Sequence, residues 1–175
     1  FAQTGIQTSD LTAIAFSRGP GSFSGVRINA AVTQALAWSN DIPVIPVSTL
    51  QALAQNAYRE VGLTAVTAVL DARMQEVYIA SFKLDQNNIM QAVDEEKLLN
   101  YQHATEYQKF TLIGSGSALV KADAVDFKHI SATAEDIATI ARQKAIEKQW
   151  LSAEQALPVY LRENAWKKIP EQGKP

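Results

Sequence analysis

Seven consecutive residues near the start of the chain, Gly19-Pro20-Gly21-Ser22-Phe23-Ser24-Gly25, contain three glycines and a proline. A β-type run over residues 11–16 enters this segment and a helix-type run over residues 26–38 leaves it. Glycine adopts positive φ cheaply and lets another backbone or a ligand approach; proline fixes φ and removes a donor. A strand that turns through such a loop into a helix leaves unpaired amides at the helix N-terminus, beside the positive end of its dipole. Two readings follow: a seat for an anion, or a tight, well-packed strand–helix turn. The segment is neither the dinucleotide pattern G-x-G-x-x-G of a βαβ unit nor a P-loop, which needs Gly-Lys-Ser/Thr.

The rest of the chain reads as alternating strands and helices, then a hairpin. The helix over residues 26–38 carries Val26, Ile28, Val32 and Leu36 with Ala30, Ala31, Ala35 and Ala37. Small residues around a helix allow close approach to a neighbour, which is either its own sheet or another subunit. After a short strand over residues 44–47, Ser48 and Gln51 have the form of a capping box. The helix they open should bury Leu50, Leu53, Ala54, Ala57 and Val61 and stop at Gly62. Strand-like runs over residues 64–70 and 76–84 make a β-hairpin with a polar turn. Its Asp71, Arg73 and Glu76 are either a carboxylate cluster or a network that fixes the turn. Residues 89–107 are weakly patterned. A strand over residues 110–113 leads into Gly114-Ser115-Gly116, a weak phosphate signal that many ordinary turns share. Thr133 and Asp136 signal a helix running to about Gln149 and burying Ile137, Ile140, Ala141 and Ile146. Its Arg142, Lys144 and Lys148 read as a solvated basic face, and Tyr160 and Leu161 as docking on the sheet. Gly62-Leu63 marks a boundary between residues 1–62 and 63–175.

Composition closes off several classes. The 175 residues are 47% hydrophobic, enough for a proper core, and carry a net charge of −2. There is thus no global electrostatic footprint for nucleic acid. With no cysteine there is neither a disulfide framework nor a thiolate metal site. No apolar run approaches the ~20 residues that span a bilayer, and no signal peptide is visible, so no membrane association and a cytoplasmic location are expected.

Four ordered motifs carry a family resemblance. Arg18-Gly19-Pro20-Gly21-Ser22-Phe23-Ser24-Gly25-Val26-Arg27 resembles the R-G-P-G-S-F-T-G-V-R signature of the bacterial TsaB (YeaZ) family, with Ser24 for the usual threonine. Val47-Ser48-Thr49-Leu50 resembles its V-S-T-L. Asp71-Ala72-Arg73-Met74-Gln75-Glu76-Val77-Tyr78 resembles D-A-R-x-x-E-V-Y. Pro158-Val159-Tyr160-Leu161-Arg162, then Ala165-Trp166-Lys167-Lys168, resembles P-V-Y-L-R and A-W-K-K.

That resemblance implies an α/β fold of the actin-like ATPase, ribonuclease H-like type, in two lobes. The family's N-terminal strands, with their first phosphate-binding hairpin, are not in this sequence. It implies a non-catalytic scaffold for tRNA N6-threonylcarbamoyladenosine (t6A) formation that binds TsaD, helps recruit the ATPase TsaE and self-associates when free. TsaD has two metal-binding histidines four apart where this chain has Thr49 and Leu53. His103 and His129 fall elsewhere, so no metal and no catalytic residue are expected. Arg18, Gly19, Pro20, Gly21, Ser22, Phe23, Gly25, Arg27, Val32 and Leu36 are expected at the partner interface. Asp71, Arg73, Glu76 and Tyr78 form a characteristic structural motif. Gly114 and Gly116 are candidate nucleotide contacts. This chain would need no cofactor, with ATP or ADP in the assembled complex, and would meet tRNA only through that complex. Trp166 beside two lysines could stack on RNA. The alternatives are an independent nucleotide-binding hydrolase or an M22-type peptidase.

Overall fold

A computed structural model describes residues 3–162. Strands β1 (Ile14–Ser17) and β2 (Val44–Val47) form a parallel pair, Ile14 opposite Val44 and Ser17 opposite Val47. Helix α1 (Phe23–Asn40) connects them. It starts three residues earlier than its apolar pattern suggests, because Ser22 serves as N-cap and accepts from the Gly25 amide at 3.2 Å. The strand before it is shorter than residues 11–16, since Leu11 lies outside β1. Helix α2 (Thr49–Val61) follows, capped by the Ser48 hydroxyl and closed by left-handed Gly62. The capping box is only half made. Gln51 turns its side-chain amide to the Met90 carbonyl at 2.8 Å instead. Val61 is exposed rather than buried, because it lies past the stretch that packs.

The second sheet grows on the hairpin of β3 (Ala65–Arg73) and β4 (Glu76–Leu84). Strands β5 (Met90–Ala92) and β6 (Lys97–Asn100) both pair antiparallel with β4, and β7 (Thr111–Ile113) adds in parallel to β3. The weakly patterned stretch therefore holds two short strands and helix α3 (Tyr101–Tyr107). Short helix α4 (Ser117–Val120) and helix α5 (Ala134–Ile146) follow, and single 3-10 turns at Thr8–Asp10 and Ala153–Gln155 stand before β1 and after α5. Thr133 and Asp136 cap α5 as expected, and do so as a complete capping box. The helix ends at Ile146, short of Gln149, and leaves Ile146 exposed.

Burial sorts these elements into layers. Phe16 and Val44 of the first sheet pack against Ala37 of α1 on one face. On the other face, Ile45 and Val47 meet Ile140 and Ala141 of α5 and Ala52 of α2. The opposite side of α2, Leu50, Leu53, Ala54 and Ala57, covers Val66, Ala68, Ala80 and Phe82 of the second sheet. Val69, Val77 and Ile79 point from that sheet's far face toward Ala104 and Val120 of α3 and α4. The period-2 alternation along β3 and β4 is what lets one sheet serve two hydrophobic layers. Among the described residues, no helix is long and apolar enough to cross a membrane.

Candidate functional site

Five separate stretches of sequence, one of them represented by Leu98 alone, meet in one groove of about 1260 Å³. One wall is the glycine loop and first turn of α1, through Gly21, Ser22, Phe23 and Val26. The facing wall is the β3–β4 hairpin tip, from Leu70 to Glu76, with Ser115 beside it. Residues 159–162 line the groove between the two walls.

The glycine loop is closely packed. The Arg18 amide donates to the Val47 carbonyl at 2.8 Å, and the Arg18 and Gly19 carbonyls accept from the amides of Val159 and Thr49. Gly19 has φ +97°, and a Cβ there would sit 3.3 Å from the Val159 oxygen. Pro20 is buried, and its bond to Gly19 is cis. The Ser17 and Thr49 hydroxyls, 2.6 Å apart, tie the start of the loop to α2. The Arg18 side chain turns away from the groove and pairs with Glu96 at 3.1 Å. Nearby Lys144 donates to the Pro46 carbonyl at 2.8 Å, so it is not part of a solvated basic face. Burial, then the charge of Arg18, holds its pKa below the usual lysine range.

Arg27 is fixed by aromatic neighbours. Its guanidinium lies 3.6 Å from the Phe23 ring centroid, and its Nε donates to the Tyr160 hydroxyl at 2.8 Å. Tyr160 thus docks on the first turn of α1 and not on the sheet, because Arg27 and Phe23 offer it a hydrogen bond and a ring face together.

The hairpin tip is a two-residue loop, Met74-Gln75, with Arg73, Met74 and Gln75 all at positive φ (63°, 55° and 62°). Such turns favour Asn-Gly; here side chains brace the strained backbone. The Asp71 carboxylate accepts from the Arg73 amide at 2.8 Å and pairs with its guanidinium at 3.0 Å. Glu76 pairs with Arg162, which also donates to the Ala72 carbonyl at 3.1 Å. The Asp71–Arg73–Glu76 set is therefore divided, Glu76 belonging to the chain's far end. Tyr78 lines the groove floor.

Gly114 and Gly116 are positions of close packing against β3. A Cβ on Gly114 would lie 2.6 Å from the Val69 oxygen, and one on Gly116 2.6 Å from the Val69 side chain. Ser115, between them, accepts from the Asp71 amide at 3.4 Å. Val32 and Leu36 lie on α1 away from the groove. Ile28 (63% exposed) and Val32 (53%) show apolar surface to solvent, Ala31 and Ala35 are exposed beside them, and Leu36 is half-buried. Thr49 and Leu53 sit on α2, the latter fully buried. Among the described residues, no group of three or more His, Asp or Glu is placed to hold a metal. Ala165, Trp166, Lys167 and Lys168 lie outside the described residues.

Residues 1–171 match the family model described as TsaD, tRNA N6-adenosine threonylcarbamoyltransferase. The tRNA threonylcarbamoyladenosine biosynthesis protein TsaB of Escherichia coli is 39% identical, over 95% of this chain and 78% of that protein. The chain belongs to the TsaB family. TsaB of Haemophilus influenzae is 34% identical over 97% of this chain and 78% of its own. The solved structure of YeaZ from Pseudomonas aeruginosa superposes with a TM-score of 0.83 at 37% identity, covering 90% of this chain and 79% of that one. The fold is accordingly the actin-like ATPase type. The TsaB motifs at residues 18–27, 71–78 and 158–162 supply most of the groove's lining, with Leu70, Leu98 and Ser115 added from outside them. Sequence reading isolated each of them but missed their meeting. The pairing of Glu76 with Arg162 joins positions 86 apart that nothing local connects.

Proposed function

We propose that this chain is a non-catalytic scaffold subunit in t6A formation on tRNA, working in the cytoplasm. It binds and supports TsaD and helps recruit TsaE, while the threonylcarbamoyl transfer belongs to TsaD. The TsaB names of its relatives support the pathway. The observation that carries the scaffold reading is the open apolar face of α1, with Ile28, Ala31, Val32 and Ala35 uncovered on one side of an 18-residue helix. A capped, well-packed helix that leaves such a stripe in water fits an interface. Val26, Ala30, Thr33 and Ala37, which are buried, anchor the other side and hold it rigid. Support of this kind needs contacts that favour the partner's active state, not a nucleophile. The same face would cover itself by self-association when the partner is absent. ATP or ADP belongs to the assembled complex, tRNA is met through it, and Gly114 and Gly116 remain the candidate nucleotide contacts of this chain.

Size-exclusion chromatography with light scattering, with and without the cognate TsaD, tests this. The native protein should form a complex and Val32→Glu should lose it while remaining folded by circular dichroism. Absence of a complex, with ATP or peptide hydrolysis by the isolated protein, would replace the scaffold by the hydrolase or peptidase reading.

A further inference from the structure

A second groove, of about 630 Å³, lies at the other end of α1. Its walls carry two exposed indoles, Trp38 (66% exposed) and Trp150 (43%). Both stand on fixed main chain. Trp38 is in the last turn of α1, where left-handed Asp41 (φ 51°) donates its amide back to the Ala37 and Trp38 carbonyls. Trp150 precedes Leu151, which exchanges two main-chain hydrogen bonds of 2.9 Å with Val44 at the start of β2. The ionisable residues lining the groove are Asp41 and Glu154; no lysine or arginine lines it among the described residues. A hydrogen bond from the Ser152 side chain, then one from its own backbone amide, holds Glu154 below the usual carboxylate range, so it is charged at neutral pH.

We propose that this groove is a docking site for a lysine or arginine side chain carried by a partner protein. Indole faces attract cations through the ring quadrupole, and two carboxylates on the rim supply the complementary charge. The same carboxylates repel phosphate, which turns the site away from nucleic acid. Their main chain is already fixed and an indole has only two side-chain torsions to order, so covering it costs little freedom, and tryptophan is enriched in interface hot spots. Trp38 also flanks the open face of α1 that holds Ile28 and Val32, so a protein seated on that face would reach the groove. Only this last point rests on the proposed subunit role. The cation chemistry stands without it.

The test uses the full chain carrying Trp166→Phe, so that Trp38 and Trp150 report. An acetylated, amidated tetra-arginine peptide and a tetra-citrulline peptide of equal length are titrated at low salt, reading tryptophan fluorescence. The arginine peptide should give a saturable change that the citrulline peptide does not. The double variant Asp41→Asn/Glu154→Gln should weaken it about fivefold, as should roughly 0.5 M salt, through lost ion pairing. No saturable change, an equal response to citrulline, or an unaffected double variant overturns the proposal. So does a peptide-independent self-association, seen by sedimentation and abolished by Trp38→Ala, which would make a second copy of the chain the occupant. Because TsaD is absent from the experiment, failure here leaves the α1 interface untouched. Failure of the chromatography leaves this groove untouched in turn.

Discussion

Helices α1 and α2 are built alike and used differently. Each follows a short parallel strand, each is capped by a serine (Ser22 and Ser48), and each ends on a left-handed residue (Asp41 and Gly62). Yet α2 is buried from Leu50 to Ala57, polar residues included. Gln51 donates to the Met90 carbonyl, Gln55 donates to the Asn88 carbonyl and accepts from the Met90 amide, and Asn56 donates to Asp136. Helix α1 buries a narrow stripe and leaves isoleucine and valine in water. Every demand of α2 is met inside the chain, as buried polar groups require. The surface of α1 is matched only in part, and the unmatched part is the face proposed above to meet a partner.

The largest effect should separate the helices by volume. Leu53→Ala should cost about 2–5 kcal/mol through lost burial and a residual cavity, while Val32→Ala should stay within about 0.5 kcal/mol in the isolated protein. Urea unfolding measures both; equal losses would mean that α1 is as much a core element as α2.

Next comes the polar staple between α2 and α5. Asp136 is fully buried and accepts from Arg59 Nε at 3.0 Å, Asn56 at 3.0 Å and the Thr133 hydroxyl at 2.6 Å. Burial by itself raises its pKa, but the hydrogen bonds from Arg59, Thr133 and Asn56 outweigh burial and leave it lowered. A carboxylate held below its unfolded value of about 3.9 stabilises fully above that pH, and the contribution disappears as pH falls through the folded value. Asp136→Asn should cost roughly 2–3 kcal/mol at pH 7. The gap between variant and native protein should begin to narrow below about pH 4 and close as pH falls through the lowered folded value; a gap unchanged across that whole acid range would show that shape, not charge, holds the staple.

The smallest effect concerns the caps. Ser48, buried and accepting from the amides of Leu50 and Gln51, should lose about 1–2 kcal/mol on mutation to alanine. Ser22, exposed and accepting from the Gly25 amide, should lose nearer ~0.5 kcal/mol. Thermal melts of the two variants would rank them, and the reverse order would undo the comparison.

Local chemistry made much of this readable. The Ser48 and Thr133 caps, the Gly62 stop and the β3–β4 hairpin each depend on residues within a few positions of one another. What was not legible depends on distant partners. Gln51 reads as a capping residue until Met90 arrives on β5, and Lys144 reads as solvated until β2 places the Pro46 carbonyl beside it. Strands β5 and β6 are too short to show a period and exist because β4 offers a free edge. The groove was hidden for the same reason. Its motifs stand out singly, but Arg27 with Tyr160 and Glu76 with Arg162 are tertiary pairs.

The stretch from Val159 to Arg162 has a mechanical consequence. Its first residue is bonded to the glycine loop by main chain and its last to the hairpin tip by an ion pair and a carbonyl contact. Three peptide steps extend no further than about 11 Å. The stretch is thus a tether of fixed length across the mouth of the groove. The two walls can part only by the slack in that tether and one arginine side chain, and any wider opening must first let go either of Arg18 or of both Glu76 and the Ala72 carbonyl.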